Sequence, residues 1–241
     1  MTDPNKIRMW QSQDDQGTLQ VNVLTALQNR PVSGAKVTIS YTGVPGTPLE
    51  ELTTDQNGNT PDLKLATPPL ELSLHPTEEQ PYSEYTIRVE APGYEPTEVS
   101  GSEMLSGQRS VQRISLSPAA GQDFENLVIP AHTLYGDYPE KIPEDEIKPI
   151  RDTGEIVLSR VVVPEFVVVH DGAPSDSTAK DYYVRYRDYV KNVASSEIYA
   201  TWPRESIKAN VLAIMSFTLN RVYTEWYRNK GYDFTITSCT A

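Results

Sequence analysis

The chain has 241 residues, with 33 acidic and 21 basic side chains and a net charge of −12. At roughly 100–200 residues per domain this is one large domain or two small ones. A field of that sign repels phosphate, which argues against non-specific binding to nucleic acid or an anionic membrane, and no apolar run approaches the roughly 20 residues of a membrane span.

The N-terminus, Met1-Thr-Asp-Pro-Asn-Lys6, lacks a basic start followed by an apolar stretch, so no secretory signal is expected. The single cysteine, Cys239, rules out an internal disulfide and any zinc site built on paired cysteines. Composition then divides the chain in three. Residues 1–120 carry 8 basic and 15 acidic groups, residues 121–165 carry 4 and 10, and residues 166–241 carry 9 and 8. Of the 19 prolines, 17 lie at or before Pro164, whereas 13 of 21 aromatic residues lie from Phe166 onward. The expectation is an N-terminal tail (1–17), a first domain (18–118), a connector (119–155) and a second domain (156–241).

The first domain reads as strands. Leu19, Val21 and Val23 alternate with polar residues, as do Val37, Ile39 and Tyr41, and later Tyr85, Ile87 and Val89, followed by Ile114 and Leu116. Turn signals separate them: Asn29-Arg-Pro31, Gly43-Val-Pro-Gly46, Asn57-Gly58 and Pro92-Gly93. Short strands with such turns predict an antiparallel β-sandwich. Pro31-Val-Ser-Gly34-Ala35, Thr53-Thr-Asp55-Gln-Asn-Gly58 and Tyr85-Thr-Ile-Arg-Val-Glu-Ala-Pro-Gly93-Tyr94 together resemble the carboxypeptidase regulatory-like, transthyretin-type sandwich. That resemblance implies a structural or pro-segment module, with glycan or partner binding as the functional alternative.

The connector holds Pro130, Pro139, Pro143, Pro149 and the acidic run Glu144-Asp-Glu146, which excludes a long helix. It reads as extended, partly packed through Leu134, Tyr135 and Tyr138, and as a place for proteolysis. Beyond it, Ile156–Val169 reads as a buried strand that is either broken at Pro164 or lies at a sheet edge there. Asp181–Ile198 reads as a helix through Tyr182, Tyr186, Tyr189, Val190 and Val193. A second helix is predicted from Pro203 to about Lys230, apolar on more than one side and therefore buried, with Gly231 as its stop. Tyr232–Thr237 reads as a strand.

The stretch Tyr189-Val-Lys-Asn-Val-Ala-Ser-Ser-Glu197-Ile-Tyr199-Ala-Thr-Trp202-Pro203-Arg-Glu205-Ser-Ile-Lys208-Ala209 carries the chemistry. It resembles the signature of the stage II sporulation protein D family. The spacing from Glu197 through Trp202-Pro203, Glu205 and Lys208-Ala209 matches without a gap. The fold class expected is therefore α+β: the antiparallel sandwich followed by a partial α/β domain of that family. The resemblance implies a lytic transglycosylase that cleaves peptidoglycan, with Glu197 as catalytic acid.

Glycosidic cleavage needs an acid to protonate the leaving oxygen. When the sugar's own 6-hydroxyl attacks the anomeric carbon, no second carboxylate is needed. A carboxyl near Trp202 and Tyr199 is expected to stay protonated near neutral pH, and these aromatics and Lys208 are the candidate substrate contacts. Taken alone, Glu197 reads as a surface glutamate near a helix end. Pro203 and Glu205 read as a helix N-terminus, where a carboxylate suits the dipole. Lys208 has the alternative of pairing with Glu205.

The sandwich, acidic linker and motif in this order resemble the pro-form of the cortex-lytic enzymes of spore-forming anaerobes. What this implies is a zymogen made in the mother cell, located at the spore cortex, cut near 119–135 by a subtilisin-like germination protease and then acting on cortex peptidoglycan. The family's domain continues beyond the equivalent of Ala241, so the expected groove is partial. Two departures stand out. Ile198-Tyr199 replaces the family's Met-Pro, and Thr237-Ser-Cys239-Thr240 lacks the histidine of a zinc-associated segment. His75, His132 and His170 have no ligand spacing, so neither metal nor cofactor is expected. The rival class is a non-catalytic glycan- or partner-binding protein, with a homo-oligomer formed through the second helix. A thiol enzyme using Cys239 has no base partner in sequence.

Overall fold

In the computed structural model, Leu19, Val21 and Val23 point into a core that excludes solvent almost completely, at 2, 0 and 0 % exposure. Their polar neighbours face outward, as the period of two requires. The structure describes residues 15–44, 46–77, 79–119, 124–132, 134 and 159–238. The chain forms two units that divide between Tyr135 and Gly136. Among the described residues no helix is long and apolar enough to cross a membrane.

The first unit is a β-sandwich. Strands β1 (Gln16–Thr25), β4 (Leu63–Ala66) and β7 (Arg109–Leu116) form one sheet in the order β4-β1-β7. Strands β2 (Lys36–Tyr41), β3 (Pro48–Thr53), β5 (Ser83–Glu90), β6 (Thr97–Met104) and β8 (Glu125–Val128) form the other, in the order β3-β2-β5-β6-β8. Val21 and Ile114 from the first sheet share one apolar cluster with Val37, Ile39, Ile87 and Val99 from the second. The sandwich is mixed rather than antiparallel, because β1 runs parallel to β7 over eight residue pairs and β6 runs parallel to β8. Alternation reports which face is buried but not the direction of the neighbouring strand, so the sequence pattern could not reveal this.

β8 lies within the stretch read as connector. Its four residues pair with β6, and the chain then continues along the same edge: the Ile129 amide donates to the Ser100 carbonyl at 2.8 Å. β6 makes room through a bulge. Ser102 pairs with Tyr85 and Val99 with Ile87, so two β6 residues oppose one on β5. Gly101 in this bulge has φ 85°, and a Cβ there would run into the Ile129 carbonyl oxygen. Further on, the Tyr82 hydroxyl donates to the His132 carbonyl at 2.6 Å, and the His132 ring sits 2.7 Å from the Glu103 carboxylate. Burial pushes the Glu103 carboxyl above the usual carboxylate range, with His132 pulling the other way.

The second unit is a three-stranded sheet with two helices. Strands β9 (Phe166–His170), β10 (Asp181–Arg185) and β11 (Ile236–Thr237) lie in the order β10-β9-β11; helix α1 (Tyr186–Glu197) and helix α2 (Arg204–Tyr223) follow β10. Three readings change here. First, the strand expected over 156–169 begins only at Phe166 within the described residues. Pro164 has no N–H to give a ladder, and Val161, Val162 and Val163 are exposed. Residues 156–158 lie outside the described residues.

Second, the expected helix over 181–198 is a strand for its first five residues. Each residue from Asp181 to Arg185 pairs with one of β9, which suits the run Tyr182-Tyr183-Val184. The helix starts where the Tyr186 amide donates to Glu165 instead. Third, α2 is buried along one face only. Ile214, Thr218 and Arg221 are buried, while Leu212 and Phe217 are 61 and 45 % exposed. The final strand is shorter than the six residues read: Ile236 and Thr237 pair with β9, and the Thr235 and Ser238 amides donate to Val168 and His170 on either side.

Candidate functional site

The motif stretch folds as a helical hairpin on β9. Tyr186 and Val190 from α1 pack with Ile214 from α2 and Val167 from β9, and Val193, Ala194, Val211 and Met215 surround them. Between the helices Ile198 is extended, at φ −151° and ψ 137°. Its amide still donates to Ala194, and the Trp202 amide donates to the Tyr199 carbonyl at 3.1 Å. This turn carries Ile198 and Tyr199 inward, at 8 and 3 % exposure.

Burying these two residues sends their neighbour outward. Glu197, the last residue of α1, is exposed. Its Oε2 accepts a 2.7 Å hydrogen bond from the Asn210 side-chain amide, two turns into α2. The Oδ1 of Asn210 is buried and without a hydrogen-bond partner. Tyr189 stands about two turns back on the same helix. Burial pushes its phenol upward, a hydrogen bond with Thr218 opposes this, and the negative Glu197 carboxylate adds to the rise.

The other predicted site residues are placed differently. Tyr199 is buried, so its ring offers no open face to a sugar, and the Glu197 side chain that was expected near Tyr199 and Trp202 is on the surface. Trp202 is partly buried in the turn. Lys208 Nζ is 2.7 Å from Glu205 Oε1, an exposed pair one turn apart. Pro203 stands immediately before the helix, at φ −52°, and its carbonyl accepts from Ile207. Glu205 lies in the first turn, where it faces the helix dipole.

His170 has both ring nitrogens engaged. Nδ1 is 2.7 Å from Asp181 Oδ1, Nε2 is 3.1 Å from the Ala173 carbonyl, and the ring stacks on Phe234 at 4.4 Å. No group of three or more metal-ligating side chains lies together among the described residues. Cys239 lies outside them. Sequence reasoning missed Asn210. It sits one residue past the motif's last matched position, and only the crossing of the two helices brings it to Glu197.

No family model and no curated protein matches this chain. Among solved structures it is similar to the Bacillus anthracis TIE protein, at 15 % identity over 44 % of this chain and 17 % of that one, with a TM-score of 0.30. It is similar to a Klebsiella pneumoniae 5-hydroxyisourate hydrolase, at 18 % identity over 43 % of this chain and 92 % of that one, with a TM-score of 0.29. The minor pilin GBS52 of Streptococcus agalactiae is a third, at 13 % identity over 49 % of each chain and a TM-score of 0.30. Likenesses this shallow bear on neither the fold nor the activity of this chain.

Proposed function

We propose that this chain is the precursor, or a piece of the precursor, of a peptidoglycan lytic transglycosylase acting on spore cortex, with Glu197 as its acid. The reading rests on the ungapped spacing from Glu197 to Ala209, which resembles the stage II sporulation protein D signature. In this reading the second unit is part of that family's catalytic domain. The Glu197 carboxyl protonates the glycosidic oxygen as the bond to the anomeric carbon breaks. The 6-hydroxyl of the same sugar attacks that carbon and passes its proton to the now ionised Glu197 carboxylate, so the acid is restored, the product is a 1,6-anhydro end and no water is consumed. An exposed carboxyl at a helix end is accessible to a polymer strand, and the Asn210 amide fixes its orientation.

The N-terminal sandwich is the pro-segment in this reading, removed by a subtilisin-like germination protease. The decisive experiment incubates cortex sacculi with the full chain before and after limited proteolysis, and with Glu197→Gln in parallel. Anhydro-muropeptides made by the cleaved wild type and absent with Glu197→Gln support the reading. Equal release by both sinks the assignment of the acid.

The exposed Leu212 and Phe217 on α2 favour a second reading, a non-catalytic glycan- or partner-binding protein that assembles through this helix. Light scattering separates the two. A mass that rises with concentration, together with no products in the assay, supports the binding protein.

A further inference from the structure

β10 is an edge of the second unit's sheet. Among the described residues, β9 pairs with it on one side and no strand pairs with it on the other. Edge strands commonly carry a proline, a bulge or an inward charge that discourages pairing with another chain. β10 has no proline, and its five residues keep unbroken register with β9. Tyr182-Tyr183-Val184 forms its centre, with Tyr183 80 % exposed. Its restraint lies only in its short length and in the charges at its two ends, Asp181 and Arg185.

Two bonds fix the direction of its backbone groups. The Asp171 amide donates to the Lys180 carbonyl at 2.9 Å, and the Tyr186 amide donates to the Glu165 carbonyl at 2.9 Å. Every second residue of an extended strand turns its backbone to the same side. Tyr182 and Val184 therefore face β9, and Asp181, Tyr183 and Arg185 turn theirs outward. The Arg185 amide is free for a new neighbour, while its carbonyl caps the first turn of α1.

The outward residues read symmetrically. Antiparallel pairing of two copies about Tyr183 sets Tyr183 against Tyr183, Tyr182 against Val184, and Asp181 of each copy against Arg185 of the other. Residues directly opposite share a face of the sheet, so each facing pair can touch. The two ion pairs are equivalent, as an interface on a two-fold axis requires. A shift of register loses both of them. Both side chains are within reach: Asp181 touches His170 through Oδ1 yet remains 39 % exposed, and Arg185, over the Phe166 ring, is exposed as well.

We infer that two copies of this chain join through β10, antiparallel and centred on Tyr183, so that their three-stranded sheets become one sheet of six. This assembly is independent of Glu197 and uses a different surface from the exposed face of α2.

The test follows the mass of the full chain by sedimentation equilibrium. The wild type is expected to rise with concentration from one chain mass toward two. Arg185→Glu sets like charges opposite each other at both ends and should raise the dimer dissociation constant at least about tenfold. Asp181→Lys does the same with positive charge. An equimolar mixture of the two variants restores both ion pairs and should recover the dimer, a result that non-specific association does not give. Asp181→Lys also gives up His170 and can fail to fold, so two further measurements stand without it. Tyr183→Pro removes an outward N–H and spares the β9 ladder, and it should be folded by circular dichroism and monomeric. In the wild type, exchange of the Tyr183 and Arg185 amides with deuterium should slow as concentration rises. A wild type that stays monomeric up to about 1 mM overturns the inference. So does a failure of two folded variants to recover on mixing. A dimer kept by Tyr183→Pro and lost with Phe217→Ser overturns it as well and assigns assembly to α2.

Discussion

Asn210 reaches across the helical hairpin to Glu197, its side-chain amide 2.7 Å from the carboxylate. If Glu197 is the acid, Asn210 is a positioning residue. Because Glu197 is exposed, Asn210→Ala should cost no more than about 1 kcal/mol of stability. The rate of anhydro-muropeptide release should fall roughly tenfold or more as the carboxyl loses its fixed direction. Asn210→Asp sets a second carboxylate beside the first, and like charge favours the protonated form. Its pH–rate profile should move upward, a change that a merely structural Asn210 would not produce.

Tyr85 makes the sandwich sensitive to alkali. Burial pushes its phenol far above the ordinary tyrosine range, the neighbouring Tyr41 adds to the shift, and its hydroxyl donates to the Ala66 carbonyl at 2.7 Å. The folded value lies above the unfolded value of about 10, so this contribution is intact below about pH 10 and is lost as the pH rises from there. The slope from one such group is about 1.4 kcal/mol per pH unit. Urea midpoints measured across this range should fall for the wild type and fall less steeply for Tyr85→Phe. At neutral pH the variant should be about 1 kcal/mol less stable, since it leaves the Ala66 carbonyl short of a donor.

Gly101→Ala should loosen the end of the sandwich sheet. It places a Cβ against the Ile129 carbonyl and holds alanine at a left-handed φ of 85°. A loss of at least about 2 kcal/mol is expected. Hydrogen exchange at Ile129 and in β8 should speed up together with that loss. Unchanged protection at Ile129 would show that the bulge tolerates the methyl group.

Glu225 offers the opposite test. Glycine at this position relieves the left-handed backbone at φ 50°, whereas alanine keeps the strain and also loses the carboxylate. The partly exposed contact with Arg228 contributes little to stability. Glu225→Gly should therefore be more stable than Glu225→Ala by about 1 kcal/mol in urea unfolding, since both lose the carboxylate and only alanine keeps the strain. Equal midpoints would contradict the conformation at Glu225.

Strand alternation made the sandwich legible, and so did the turn at Asp55, whose Oδ1 accepts from Asn57 and Asn59 at 2.8 and 2.9 Å. The pairing of β1 with β7 was not legible, because strand direction leaves no mark on side-chain period. β10 was hidden for a different reason. Tyr182, Tyr186 and Tyr189 fall at helical spacing, but pairing with β9 won over the first five residues. β8 is too short to show alternation, and its place depends on a bulge in another strand. At the site, Glu197 and its motif could be read directly. The partnership with Asn210 depends on a helix crossing, and the left-handed turn at Glu225 depends on a backbone angle that glutamate rarely adopts.

β8 also decides what happens when the chain is cut. A break on its N-terminal side, between Ala119 and Phe124, leaves β8 belonging to the C-terminal piece while it is still bonded to β6. The two pieces would stay together as a nicked pair and co-elute until that strand peels away. Peeling would then bare the edge of β6, an open template for another chain. A break beyond Leu134 instead leaves β8 on the same piece as the rest of the sandwich. The peptide bond a protease selects thus determines which piece owns the edge of the sheet.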